Sequence, residues 1–288
     1  MLNDPHLKVL YYEQDSSKVF GNTDIKGGVA ITYRDAKENY GAIEVFTSFS
    51  ELNDIREKVI HRKDFLSFSD LIFAPESYRF SNKLHEDYPD IKYREEKGVN
   101  KGVFSKGHDN DVVTNVFEKI PYLFKDNKPN GDDYVGFIGL IDNKRYIKWI
   151  ERKYIRDHDN LEKYKIILPK SNGSGAIGEV LSTPLIGEPL IGHTQSFISI
   201  GSFDTKEEAE NVMKYIKTKF ARTMLGILKI TQDNKKSTWR FVPIQNFTST
   251  SDIDWSKSVS EVDQQLYKKY GLDEKEIEFI ESHVKEME

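Results

Sequence analysis

The chain has 288 residues, 12% aromatic and 31% charged, with no cysteine and a net charge of −5, a length that supports one large core or two ordinary ones. Absence of cysteine excludes disulfides, iron–sulfur clusters, thiolate zinc sites and thiol nucleophiles, and the acidic balance argues against indiscriminate coating of nucleic acid, which rests on phosphate neutralisation. No run approaches the ~20 apolar residues of a membrane span, and Met1 to His6 lacks the basic and apolar segments of a signal peptide, so a cytoplasmic location is expected.

In chain order, Val9-Leu10-Tyr11-Tyr12 reads as a strand, and Gly28-Val29-Ala30-Ile31-Thr32-Tyr33 is expected to form a hairpin with Ala42-Ile43-Glu44-Val45-Phe46. Ser50 precedes a helix with Leu52, Ile55 and Val59 on one side. Residues 74–80 read as loop, and residues 97–108 as a glycine-interrupted basic loop. Asp111 is expected to cap a short helix bearing Val112, Val116 and Ile120 and ended by Pro121.

A second hairpin is predicted over residues 134–141 and 145–154, turning at Asp142-Asn143. Its second strand places Tyr146, Trp149 and Tyr154 among Lys144, Lys148 and Arg152, which predicts one wet, positive face. Residues 165–168 form a short buried strand, followed by the Gly/Ser/Thr/Pro-dense stretch 169–201. Thr205 and Glu208 have capping-box spacing, and Ala209, Val212, Met213, Ile216, Phe220, Met224 and Ile227 make an apolar stripe, so one helix is predicted from Thr205 to Lys229. The chain ends in a helical hairpin, 260–270 and a second helix capped at Asp273 with Glu276 three residues on, turned at Gly271. The class expected is α+β: mixed sheets with an N-terminal β-hairpin, a glycine-rich loop region and C-terminal helices.

Charge is unevenly spread. In 211–240 the cations Lys214, Lys217, Lys219, Arg222, Lys229, Lys235, Lys236 and Arg240 face one acid, Asp233, whereas 252–288 is acidic. This predicts one positive working face and one solvating or docking end.

Several chemical motifs are weak in context. Gly173-Ser174-Gly175-Ala176-Ile177-Gly178 matches a dinucleotide-binding glycine pattern, but Pro184 and Pro189 interrupt the helix that should follow. Asp133 with Glu151-Arg152-Lys153 has the residue types of a metal-dependent nuclease. The histidines are scattered without metal spacing, and Lys128 occupies a position that a calcium loop reserves for an oxygen ligand. Duplex DNA is the better match. The basic helix supplies phosphate partners, while 170–175, 193–196 and 231–236 supply amides and hydroxyls able to read base edges.

Blocks along the chain carry a resemblance. Asn22-Thr23-Asp24-Ile25-Lys26-Gly27-Gly28-Val29-Ala30-Ile31-Thr32-Tyr33 resembles the stretch of type IIG restriction-modification adenine methyltransferases that follows their catalytic motifs and closes the methyltransferase sheet. Pro169-Lys170-Ser171-Asn172-Gly173-Ser174-Gly175, Thr194-Gln195-Ser196-Phe197-Ile198-Ser199-Ile200-Gly201, Tyr215-Ile216-Lys217-Thr218-Lys219-Phe220, Trp239-Arg240-Phe241-Val242-Pro243 and Tyr267-Lys268-Lys269-Tyr270-Gly271-Leu272 are similar to their C-terminal target-recognition region.

The resemblance implies methyltransferase-like strands over 1–60 and a DNA target-recognition domain over 61–288. The parent enzyme would use S-adenosylmethionine. This chain contains no Pro-Pro dipeptide, hence no Asn-Pro-Pro-Tyr-type catalytic motif, and is expected to hold no cofactor or metal and to be non-catalytic alone. The expected partners are double-stranded DNA and a methyltransferase core in cis or trans. Lys217, Lys219, Arg222, Lys235 and Lys236 are the expected phosphate contacts, with Lys170 beside them, and Asn172, Ser174, Thr194 and Gln195 are the expected base readers. Two alternatives are a metal-dependent restriction endonuclease using Asp133 and Glu151, and a protein-docking module whose acidic C-terminal helices hold a methyltransferase subunit.

Overall fold

A computed structural model describes the chain apart from residues 1, 14, 24, 26–28, 44, 46, 48, 132, 174–176 and 288. Two compact units are present, residues 1–57 and 58–288.

In the first unit, β1 (Leu7–Glu13) pairs antiparallel with β2 (Val29–Arg34). The sequence expectation paired β2 with residues 42–46. The observed register instead sets Tyr11 against Ile31 and Val9 against Thr32, the β-branched and aromatic cross-strand pairs that stabilise a ladder. Of the expected partner segment, Glu44 and Phe46 lie outside the described residues. Helix α1 (Ser50–Ile60) leads out of this unit, and Leu52, Ile55 and Val59 are fully buried, as their spacing predicts.

The second unit begins with β3 (Ile72–Phe73), α2 (Asn82–Asp87), the two-residue strands β4 (Glu95–Glu96) and β5 (Val99–Asn100), and the single turn α3 (Val116–Lys119). Asn115, not Asp111, stands before α3. The Asp111 carboxylate is committed elsewhere.

The predicted second hairpin forms as β6 (Tyr134–Ile141) and β7 (Lys144–Glu151). Asp142 and Asn143 take φ of 50° and 60°, the left-handed pair a tight hairpin turn requires. Strand periodicity puts Lys144, Tyr146, Lys148 and Ile150 on one side of β7, opposite Ile141, Gly139, Phe137 and Val135. This side carries both lysines and is exposed at Lys144 and Tyr146, closes to a core at Ile150, which is fully buried with Val135 and Phe137, and pairs Lys148 with Asp126 at 2.5 Å.

β8 (Tyr164–Pro169), β9 (Leu185–Gly187), β10 (Ile191–His193) and β11 (Phe197–Phe203) complete the strands. β11 lies at the centre of a sheet ordered β3-β11-β8-β9, while β10 joins β6 in parallel to give β10-β6-β7. The two β10–β11 neighbours thus belong to different sheets, and the short link between them, residues 194–196, bridges the sheets.

The single helix predicted for 205–229 is two, α4 (Lys206–Lys217) and α5 (Lys219–Gly226). Thr218 has φ −58° and ψ 147°, and its hydroxyl accepts from the amide of Ala221. An unbroken apolar stripe concealed this break, because Thr218 both ends one helix and caps the next. The Thr205/Glu208 capping box is formed as its spacing predicts. α6 (Val259–Tyr270) and α7 (Glu274–His283) form the expected helical hairpin, with Gly271 left-handed at φ 63° and capping boxes at Ser258/Glu261 and Asp273/Glu276.

Candidate nucleic-acid interface

The cationic helical face is occupied by the chain's own acidic end. Lys217, Lys219 and Arg222 line a small pocket together with Asp263, Glu281 and Glu286. Lys219 forms an ion pair with Glu281 of α7. The Asp263 carboxylate accepts the amides of Lys219 and Phe220 at 2.9 and 2.8 Å, capping α5 from a neighbouring helix. Burial raises this carboxyl to about 6 against those two amides.

Arg222 is only 2% exposed. Its guanidinium donates to the carbonyls of Lys217, Gly178 and Lys285, so its expected role as a phosphate contact gives way to a structural one: it ties α5 to the glycine-rich stretch and the C-terminal tail. Lys229 is likewise buried, donating to the carbonyls of Asn172 and Thr231.

Two expected base readers are also spent internally. Asn172 is 5% exposed. Its Nδ2 donates to the Val180 carbonyl and its Oδ1 accepts from the amide of Ser182, which closes the glycine-rich loop on itself. Thr194 is fully buried beside Gly139 of β6. Ser174 lies outside the described residues. At the last position of the glycine motif a Cβ on Gly178 would stand 2.7 Å from the Cα of Val284, and the next element after the motif is the strand β9.

The remaining expected residues do converge. Lys170, at the end of β8, and Lys235 and Lys236, in the loop after α5, line one cleft of about 400 Å³ with Asn234, Asp233, Ile198, Ala74, Pro75 and Glu76. Backbone hydrogen bonds set this geometry. The Lys170 amide donates to Ser196 at 3.0 Å, the Asn234 amide to Lys170 at 2.8 Å, and Ser171 forms a bridge with Asp233. The loop 231–236 therefore runs beside residues 170–172, just beyond the end of β8. All three lysines are exposed, with Lys235 paired to Asp233 at 3.3 Å.

Beside them, Asn234 is 2% exposed and Ser196 7%, and Asn234 Oδ1 and Ser196 Oγ have no hydrogen-bond partner. Buried polar atoms without partners are costly in an isolated fold, and both sit within two residues of the cleft's backbone frame.

Gln195 lies on the other side of Ser196. Its Nε2 donates to Asp111 Oδ2 at 3.1 Å and its amide to the Val112 carbonyl at 3.0 Å. Sequence reasoning singled out Gln195 and missed that Asp111 holds it and that Arg79 and His108 share the same carboxylate, because Gln195 meets that group only through tertiary structure.

A second pocket of about 520 Å³ is lined by Asp133, Glu151, Arg152, Lys153, Ile155 and Asp157. The hairpin register thus brings the nuclease-like set together, but Glu151 is paired with Lys153 at 2.6 Å and Asp157 with Arg152 at 3.0 Å. Among the described residues, no group of three histidines or acids is placed to hold a metal. No helix among the described residues is long and apolar enough to cross a membrane. Neither a family model nor a curated protein matches this chain.

Proposed function

We propose that this chain binds double-stranded DNA in a sequence-specific manner, as the specificity part of a restriction-modification adenine methyltransferase, with the methyltransferase core supplied in cis or trans. The observation that carries this reading is the convergence of Lys170, Lys235 and Lys236, from two separate segments, on one cleft. Three lysines against the two acids Glu76 and Asp233 leave the cleft lining net positive, which suits a polyanion, and the mixed lining of Asn234 and Ile198 suits a partner with both phosphate and base surfaces. The blocks that resemble target-recognition regions, 169–175 and 194–201, contribute Lys170 and Ile198 to the same cleft. Backbone contacts fix register here and base contacts discriminate, a division of labour that a base-modifying enzyme needs in order to find its site before extruding a base.

The test is the salt dependence of duplex affinity. Each phosphate neutralised contributes a slope of about 0.9 in log affinity against log salt, so three lysines contribute roughly 2.7, equivalent to about a 40-fold loss between 50 and 200 mM salt. Fluorescence anisotropy with a labelled duplex should show that Lys170→Ala/Lys235→Ala/Lys236→Ala weakens binding to every duplex and flattens the slope by about that amount. A parent slope near zero, or a triple variant with an unaltered slope, refutes this reading.

A further inference from the structure

One buried carboxylate on this surface is surrounded by donors from its own loop and from two distant segments. The Asp111 side chain is only 4% exposed, and its Oδ1 pairs with Arg79 Nη1 at 2.5 Å. Oδ2 lies 2.8 Å from His108 Nδ1 and 3.1 Å from Gln195 Nε2. The acid is thus inside and the donors are outside: the Arg79 and His108 side chains are 41% and 59% exposed, and Gln195 is half-buried.

Hydrogen-bond inventory shows what these groups have left. Arg79 donates Nε to the Glu76 carbonyl at 3.3 Å and faces Asp111 Oδ1 as an ion pair without a formed hydrogen bond, leaving its Nη1 and Nη2 protons. Gln195 commits one amide proton to Asp111, leaving Oε1 and the other proton as an acceptor–donor pair. His108 has Nδ1 on the carboxylate and its Nε2 is not used in that contact. A planar fork and an amide held by a buried acid are the two side-chain types that read guanine O6/N7 and adenine N6/N7 in the major groove.

Position supports the same use. Glu76, which receives Arg79 Nε, lines the lysine cleft, and Gln195 is adjacent to Ser196, whose carbonyl receives the Lys170 amide. The Asp111 cluster therefore flanks the cationic cleft.

The geometry points to Arg79, Gln195 and His108 as the base-reading element of this surface, with Asp111 as the positioning residue that aims them. This inference rests on the duplex-binding reading above, and it names residues that determine sequence rather than affinity for DNA in general.

The experiment is selection from a duplex pool with a randomised centre, followed by sequencing, on the full chain and its variants, with melting and salt slope measured alongside. The parent chain is expected to enrich a motif. Arg79→Lys, which keeps the ion pair with Asp111 but removes the fork, and Gln195→Ala should each lose discrimination at one or two motif positions by roughly 5- to 150-fold, with the salt slope retained. Asp111→Asn should blur both sets of positions together.

Folded variants that enrich the parent motif with the same weights overturn the inference while leaving sequence-specific duplex binding intact; a parent that binds the pool without enriching a motif overturns both the inference and the sequence-specific part of the proposed function. Lowered melting with unchanged motif weights means the cluster is a structural tie only, which also overturns it. A parent chain that binds no duplex overturns both readings.

Discussion

Replacing Lys165 with methionine should remove a pH dependence that burial builds into the fold. Lys165 sits on β8 with no solvent exposure. Its Nζ donates to the carbonyls of Leu161, Glu188 and Ile191 at 3.3, 3.3 and 2.9 Å. Burial pushes the ammonium down to about 7 from an ordinary 10.5, with the charge of Glu162 a weaker opposing influence. The sign follows from proton binding. Between about pH 7 and 10.5 the unfolded chain holds the proton and the folded chain releases it, so stability rises with pH through that window.

The full gap of 3.5 pH units corresponds to roughly 5 kcal/mol, of which about 2 kcal/mol is recovered between pH 7 and 9. For a unit of this size that is about 4 to 9 °C in melting temperature. The Leu161 and Glu188 carbonyls also accept the amides of Leu190 and Ile191, so Lys165→Met leaves these two acceptors partnered while filling similar volume. Thermal denaturation of both proteins from pH 7 to 9 at constant ionic strength is the assay. The parent should gain on the variant by the stated amount as pH rises. Parallel profiles would show that the charge is relieved in some way other than deprotonation, and the argument from burial would fail.

Two stability predictions separate structural from DNA-contacting residues. Arg222→Ala leaves a cavity and withdraws a donor from three carbonyls, that of Gly178 in a buried contact and those of Lys217 and Lys285 in part-buried ones, and should cost about 3 kcal/mol in urea denaturation. The folded variant should keep the parent's salt slope on duplex DNA, whereas a reduced slope would restore Arg222 as a phosphate contact. Gly178→Ala must place a Cβ 2.7 Å from the Val284 backbone at φ +71°, and should destabilise by roughly 2 to 4 kcal/mol. A melting temperature equal to the parent's would mean that the tail does not lie against this loop.

The local features were legible because their causes are local. The β6–β7 turn followed from Asp142-Asn143, the capping boxes from Thr205/Glu208 and Asp273/Glu276, and α1 from the spacing of Leu52, Ile55 and Val59. The break at Thr218 was hidden because the apolar stripe runs through it, and a threonine among helix formers gives no distinct signal. Pairing was the harder problem: β2 joins β1 across residues 14–28 rather than the nearer segment, and strand choice depends on facing side chains that the linear pattern does not rank. Asp111 illustrates the limit for the site. Its position before an apolar run reads as a helix cap, yet a carboxylate with Arg79, His108 and Gln195 within reach has stronger partners than a backbone amide.

The same consideration decides which of the basic residues can meet a phosphate. A run of cations in sequence says nothing about which carboxylates lie across from it. Lys219 meets Glu281 at a side-chain exposure of 18%, close to the Asp263 carboxylate that caps α5, and a phosphate arriving there would have to displace a partly desolvated pair and separate α7 from α5. Lys235 meets Asp233 at 3.3 Å with 69% of its side chain exposed, and an ion pair in that setting is worth at most about 1 kcal/mol. Releasing it costs less than a phosphate contact gains. Electrostatic competition within the fold therefore removes the helical cations from duty and leaves Lys170, Lys235 and Lys236 as the group a duplex can engage, which is why the salt slope should respond to those three and not to the α5 residues.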